Sequence, residues 1–179
     1  MTFGISLFGM NTISAQAIPT FGPEIKVTIS GLTFDAMEPF ISPDGNTLFF
    51  NSLNAGGNTN IYYALKENDS TFTFMGLVDG CYDPSPEHLD GVPAMDNENH
   101  FFWISLRNYP FVFENLFSGW YSDGAVTDIS RVNGDFYIYE PGWLIMDATI
   151  NYEGNYLYFN NAYFNNCLLG MPCDARLGV

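Results

Sequence analysis

The sequence predicts an all-β chain assembled from about three copies of one antiparallel, four-stranded unit. Three observations carry this prediction. The composition suits strands, two distant segments align without a gap, and turn signals cut each unit into strand-length pieces. Hydrophobic residues make up 47% of the 179 residues and aromatic residues 17%, with 17 Phe and 11 Tyr, which is far too apolar for a disordered chain. Phe, Tyr, Thr, Ile and Val pack well on a half-buried pleated surface. No stretch of a dozen residues places apolar side chains at the i, i+3, i+4, i+7 spacing of an amphipathic helix.

The repeat is explicit in the residues. Pro39 to Ser52 reads P-F-I-S-P-D-G-N-T-L-F-F-N-S, and Ala148 to Asn161 reads A-T-I-N-Y-E-G-N-Y-L-Y-F-N-N. Ile41, Gly45, Asn46, Leu48, Phe50 and Asn51 meet Ile150, Gly154, Asn155, Leu157, Phe159 and Asn160, and Asp44 meets Glu153. Pro93 to Ser105, P-A-M-D-N-E-N-H-F-F-W-I-S, is a third copy, one residue shorter at the turn. The units start 54 and then 55 residues apart. Other features keep the step: Asn60-Ile61-Tyr62 recurs as Asn115-Leu116-Phe117 after 55 residues, and Gly80 recurs as Gly134 after 54.

Within the first unit, a short strand over Pro39 to Ser42 meets a turn at Pro43-Asp44-Gly45-Asn46. Proline presets φ there and glycine supplies the positive φ that other residues resist. A second strand covers Thr47 to Ser52. The polar loop Asn54-Ala55-Gly56-Gly57-Asn58 leads to a third strand over Asn60 to Leu65. Asp69-Ser70 marks the turn into a fourth, Thr71 to Val78. Four strands per unit of this length is the arithmetic of a propeller blade. The last unit ends at the position of the first unit's third strand, so the expectation is an incomplete β-propeller, a piece of a longer protein or one completed by partners.

The run Glu38-Pro39-Phe40-Ile41-Ser42-Pro43-Asp44-Gly45-Asn46-Thr47-Leu48-Phe49-Phe50, followed by Thr59-Asn60-Ile61-Tyr62-Tyr63, resembles the repeat of TolB-type, WD-repeat-like β-propellers. The second copy has Asp96-Asn97-Glu98-Asn99 in place of the family's S-P-D-G turn, and the third has Asn151-Tyr152-Glu153-Gly154. The resemblance spans about Phe34 to the C-terminus. It implies a binding or scaffold module outside the cytoplasm, taking a protein or carbohydrate partner and performing no catalysis of its own. Two alternatives stay open: the non-catalytic propeller of a larger secreted hydrolase such as a peptidase, and a carbohydrate-active propeller, which needs carboxylates converging at the ring centre.

Charge excludes one class of partner. Twenty acidic residues against five basic ones leave a net charge of −15, and nucleic-acid binding requires clustered cations to displace counterions from phosphates. No apolar run after the N-terminus reaches the roughly 18 residues of a membrane span. Met1 to Ala17 reads as a secretory signal: Phe3 to Met10 is apolar and small, and Ala15-Gln16-Ala17 has the form of a cleavage site. The mature chain, Ile18 to Val179, is then expected in the periplasm or outside the cell. In that compartment Cys167 and Cys173, separated by five residues, predict a small loop disulfide, with Cys81 left as a free or buried thiol.

The candidate site residues divide into structure and chemistry. Pro43, Asp44, Gly45, Glu153 and Gly154 recur at equivalent turns, which marks them as turn-forming rather than catalytic or metal-binding. Asp79 to His100 is the densest polar stretch, with Asp79, Asp83, Glu87, His88, Asp90, Asp96, Glu98 and His100, and reads as a solvated acidic loop. Its Asp96-Asn97-Glu98-Asn99 segment lacks the glycine and distal glutamate of a calcium loop. Trp103, Trp120 and Trp143 are read as core rings packed between units. Asn68-Asp69-Ser70 is a glycosylation sequon. No catalytic, cofactor or metal residues are assigned. Exposed faces at the two ends of the repeat array predict self-association.

Overall fold

The computed structural model describes residues 20–52, 58–85, 88–165, 167 and 171–179. The signal-like segment Met1 to Ala17, the loop Asn54 to Gly57, and Glu87 lie outside the described residues. All the named elements are strands: β1 (Thr28–Ser30), β2 (Ala36–Ile41), β3 (Thr47–Ser52), β4 (Asn58–Thr59), β5 (Ile61–Asn68), β6 (Thr71–Leu77), β7 (His88–Met95), β8 (His100–Ser105), β9 (Leu116–Ser122), β10 (Ala125–Arg131), β11 (Trp143–Ile150), β12 (Leu157–Tyr163) and β13 (Asp174–Gly178). They form three curled sheets that together make a half-barrel. Among the described residues no helix is long and apolar enough to cross a membrane.

Each sheet is built on an antiparallel meander: β2-β3-β5-β6, β7-β8-β9-β10 and β11-β12-β13. The first hairpins share one register. Ala36 pairs with Ser52, Asp90 with Ser105 and Ile145 with Asn161; at the other end Ile41 pairs with Leu48, Met95 with Phe101 and Ile150 with Leu157. The repeat seen in the sequence is therefore a repeat of strand pairing.

The sheets are not uniform four-stranded units. β1 adds to β6 in parallel, and β4 leaves the first sheet to pair in parallel with β7 of the second. Both sheets thus have five strands and mixed direction, while the third has three among the described residues. The added strands are short, three and two residues, and cover edges that would otherwise present unpaired backbone groups.

The three turns are one structure written in three sequences. The amide of Ser42 donates to the Thr47 carbonyl, that of Asp96 to His100, and that of Asn151 to Tyr156; the amides of Gly45, Asn99 and Gly154 donate back to Ser42, Asp96 and Asn151. Those last three donors all have positive φ, 74°, 68° and 72°. A side-chain oxygen closes each turn: Ser42 Oγ accepts from the Thr47 amide at 2.9 Å, Asp96 Oδ1 from His100 at 2.9 Å, and Asn151 Oδ1 from Tyr156 at 2.8 Å.

This equivalence sets an expected result. Gly45→Ala should cost about 1 kcal/mol, because a β-carbon resists the left-handed region even though open space surrounds it. Gly45→Asn should cost only a few tenths, since Asn99 already occupies this conformation in the second unit. Gly154→Ala should cost more than either, because its β-carbon would run into the Asp96 carboxylate of the neighbouring turn. Urea titrations of the three variants would reveal this ranking.

Alternation along the strands makes three apolar clusters, two of them between sheets. Phe49, Phe101, Trp103, Ile61, Phe117 and Val126 pack between the first and second sheets. Ile104, Leu116, Tyr137, Ile145 and Ala148 pack between the second and third. Phe50, facing away from the second sheet, is covered by Ile29 and Leu32 with Phe72 and Phe74. Polar side chains cross between sheets as well. Asn115 grips the Ile145 peptide on both sides, donating to its carbonyl at 2.6 Å and accepting from its amide at 3.0 Å.

Candidate functional site

The three first strands, β2, β7 and β11, lie side by side where the sheets converge, and at one point along each the pairing register slips by a residue. The slip falls between Met37 and Phe40, between Gly91 and Ala94, and between Ile145 and Asp147. Such an extra residue bends the strand and re-aims its side chain. Glu38 and Val92 take positive φ there, 51° and 55°. A proline follows each of them, Pro39 and Pro93, and Asp147-Ala148 stands at the corresponding place in the third unit. These residues frame a cleft of about 460 Å3, walled further by Phe40, Tyr158, Phe159 and Leu177.

Two carboxylates open into this cleft. Asp147 is held by Asn160, whose Nδ2 donates to Asp147 Oδ2 at 2.6 Å. Glu38 is held by the residue equivalent to Asn160, Asn51, together with the Val92 backbone amide. Asn51 is itself buried and accepts from the Val92 amide through Oδ1 at 3.3 Å. The apolar walls desolvate the Glu38 carboxylate and raise its pKa above the ordinary range. The Asp147 charge raises it further, while the Asn51 and Val92 hydrogen bonds oppose the shift. The cleft therefore offers concentrated negative charge on a mostly apolar, aromatic surface.

The residues singled out in the sequence occupy other places. Asp44 is spent on its own turn: Ser42 Oγ donates to its Oδ1 at 2.5 Å and the Asn46 amide at 3.0 Å, and these bonds lower its pKa. Pro43 and Gly45 share that turn. Glu153 accepts from Asn151 Nδ2 at 2.7 Å, beside Gly154. Asp44 and Glu153 thus belong to separate turns.

The acidic stretch Asp79 to His100 is dispersed. Asp79 caps Gly80, Asp83 caps Ser85 and Asp96 closes the second turn. His100 stacks on Trp120 at 4.7 Å. His88 is buried, with Nδ1 2.6 Å from the Ser85 carbonyl and Nε2 2.9 Å from Asn60 Oδ1. Asp90 is fully buried, where it meets Arg107 at 3.0 Å. No three metal-binding side chains cluster among the described residues. Trp103 and Trp143 are core rings, whereas Trp120 is 45% exposed. Cys167 and Cys173 are joined by a disulfide, and Cys81 is a buried thiol whose pKa is raised by burial.

Sequence reasoning passed over Glu38 and Asp147 as site residues. The signal that finds them is the repeat itself: each stands one residue before the start of its unit, so the two carboxylates share a position. Comparisons with protein-family models, with curated proteins and with solved structures find no match to this chain.

Proposed function

We propose that this chain is an exported binding module of the TolB-like β-propeller kind, its three meanders being consecutive blades, and that it takes its ligand in the cleft where β2, β7 and β11 meet. The observation that carries the reading is the coincidence of the cleft with one repeat position, 38, 92 and 147. Three first strands meet at a common mouth, each with a register slip beside the residue that lines it. A concave, largely apolar surface with a few convergent polar groups is the usual form of a ligand site. The test is to titrate the full chain with panels of short peptides and oligosaccharides and follow backbone amide shifts. Binding is expected to move the signals of Glu38, Val92 and Asp147 first. A ligand set that shifts only residues remote from these three would overturn the reading.

A second reading, a carbohydrate-active protein, has one specific observation on its side. Glycoside hydrolysis uses two carboxylates with separated pKa values, and a raised Glu38 beside Asp147 supplies a candidate acid and its partner. Release of chromophore from aryl glycosides, abolished in Glu38→Gln, would select this reading over simple binding.

A further inference from the structure

We infer that the cleft receives the side chain of an arginine presented by a partner protein. The inference rests on the cleft being the binding site proposed above, and it names what that site recognises. Charge complementarity comes first. Glu38 and Asp147 both open into one cleft, near enough for the charge of Asp147 to act on Glu38. Bringing a cation between them relieves that repulsion and opposes the upward shift of the Glu38 pKa. A neutral ligand leaves the repulsion in place.

The shape of the walls selects a guanidinium over an ammonium. Phe40, Tyr158 and Phe159 supply aromatic surface around the carboxylates. A guanidinium is planar, weakly hydrated, stacks on such rings and meets carboxylates with paired donors, whereas an ammonium is a strongly hydrated point charge. The third feature is Asn160. Its Nδ2 is committed to Asp147, and its Oδ1, buried in the cleft wall, has no hydrogen-bond partner among the described residues. Turning the Asn160 amide towards the cleft would free this oxygen to accept from one of the five N–H groups of an arginine.

The fold already uses this arrangement internally. Arg107 pairs with Asp90 while lying 4.8 Å over the Phe117 ring, and Arg176 pairs with Asp174 while lying 4.4 Å over Trp143. The cleft has the carboxylates and rings of such a site without the arginine.

The test uses the full chain and three blocked tripeptides: acetyl-glycyl-arginyl-glycinamide, its lysine counterpart, and the citrulline analogue, which has the shape of arginine without the charge. Affinities are read by calorimetry and the site by amide shifts. The arginine peptide is expected to bind at the cleft about tenfold more tightly than the citrulline peptide, and more tightly than the lysine peptide. Glu38→Gln and Asp147→Asn should each weaken it about fivefold, with unchanged thermal unfolding to show that the variants are folded. Equal affinity for arginine and citrulline, or indifference to both substitutions, would overturn the inference. If the citrulline peptide binds in the cleft as tightly as the arginine peptide, the binding-module reading stands and only the charge recognition fails. If no peptide or oligosaccharide perturbs the cleft, both fall. Ethylguanidinium binding as tightly as the arginine peptide would overturn the protein partner in favour of a small free cation.

Discussion

Arg107→Met is expected to destabilise the folded chain by about 3 kcal/mol at neutral pH, because it strands a buried charge. Asp90 on β7 is fully enclosed, and Arg107 is its only ion-pair partner among the described residues. The same guanidinium donates to the Cys81 carbonyl at 2.6 Å and through Nε to Ser105 Oγ at 2.8 Å, so its loss also unties the segment before β7 from the end of β8. The effect should depend on pH in a defined direction. Burial holds Asp90 above the ordinary carboxylate range, against the hydrogen bonds and charge of Ser105 and Arg107. A carboxyl whose folded pKa exceeds its unfolded value binds more protons when folded. It therefore costs stability as pH rises through the raised window and ceases to do so as pH falls below it. Removing Arg107 lifts that window further. The deficit of Arg107→Met relative to the unsubstituted chain should be largest near neutrality and shrink as pH falls towards the ordinary carboxylate range. Urea titrations at several pH values measure this, and a deficit independent of pH would show that Asp90 is not the group left uncompensated. Adding Asp90→Asn to Arg107→Met should recover part of the loss, since the two side chains form one coupled pair.

Phe49→Ala should be as damaging, at about 4 kcal/mol. Phe49 is fully buried on β3 and meets two rings of the second sheet, Phe101 at 5.0 Å and Tyr121 edge-on at 4.9 Å. It is thus the principal aromatic contact of the first sheet with the second. In repeat proteins much of the stability resides in the interfaces between units. The substitution should therefore broaden the unfolding transition as well as lower its midpoint, as the first sheet begins to melt apart from the second. Phe49→Leu, which keeps most of the volume, should cost about 1 kcal/mol and leave the transition sharp. An equally sharp transition in Phe49→Ala would mean that the sheets are joined chiefly elsewhere. The cross-sheet hydrogen bond of His88 to Asn60 would then be the next place to look.

Much of the fold could be read from the chain because its determinants are local. The segment Thr47 to Ser52 is strand β3 to the residue, and the turn at Pro43-Asp44-Gly45-Asn46 needs only residues within five positions of one another. A constant step between units then carries each local reading to the next. The parallel additions of β1 and β4 were not legible, because a strand of two or three residues is defined by the edge it meets. Which edge lies nearby depends on how whole sheets pack. Asp90 illustrates the same limit at one residue. In sequence it belongs to an acidic run, but the partly buried Arg107 that pairs with it comes from just beyond the end of the next strand. The cleft carboxylates were legible in principle. Glu38 appears in the repeat motif, yet the meaning of Asp147 emerges only when the repeat is extended one residue towards the N-terminus.

The slip in each first strand divides labour along a single hairpin. At one end, Ser42, Asp96 and Asn151 close turns of common geometry with three different side chains, and substitution there is constrained by backbone hydrogen bonding. At the other end, beside the slip, the repeat position before each unit carries glutamate, valine and aspartate; Glu38 and Val92 stand outside the ladder, whereas Asp147 pairs with Asn160 just past the skipped Met146. The repeat therefore behaves as a frame with interchangeable inserts. Altering the residue at 38, 92 or 147 should rewrite the chemistry of the mouth one insert at a time, from acidic to apolar or basic, while the frame keeps its shape. A molecule built this way can change what it recognises by point substitution alone, with no new loop and no change in strand count.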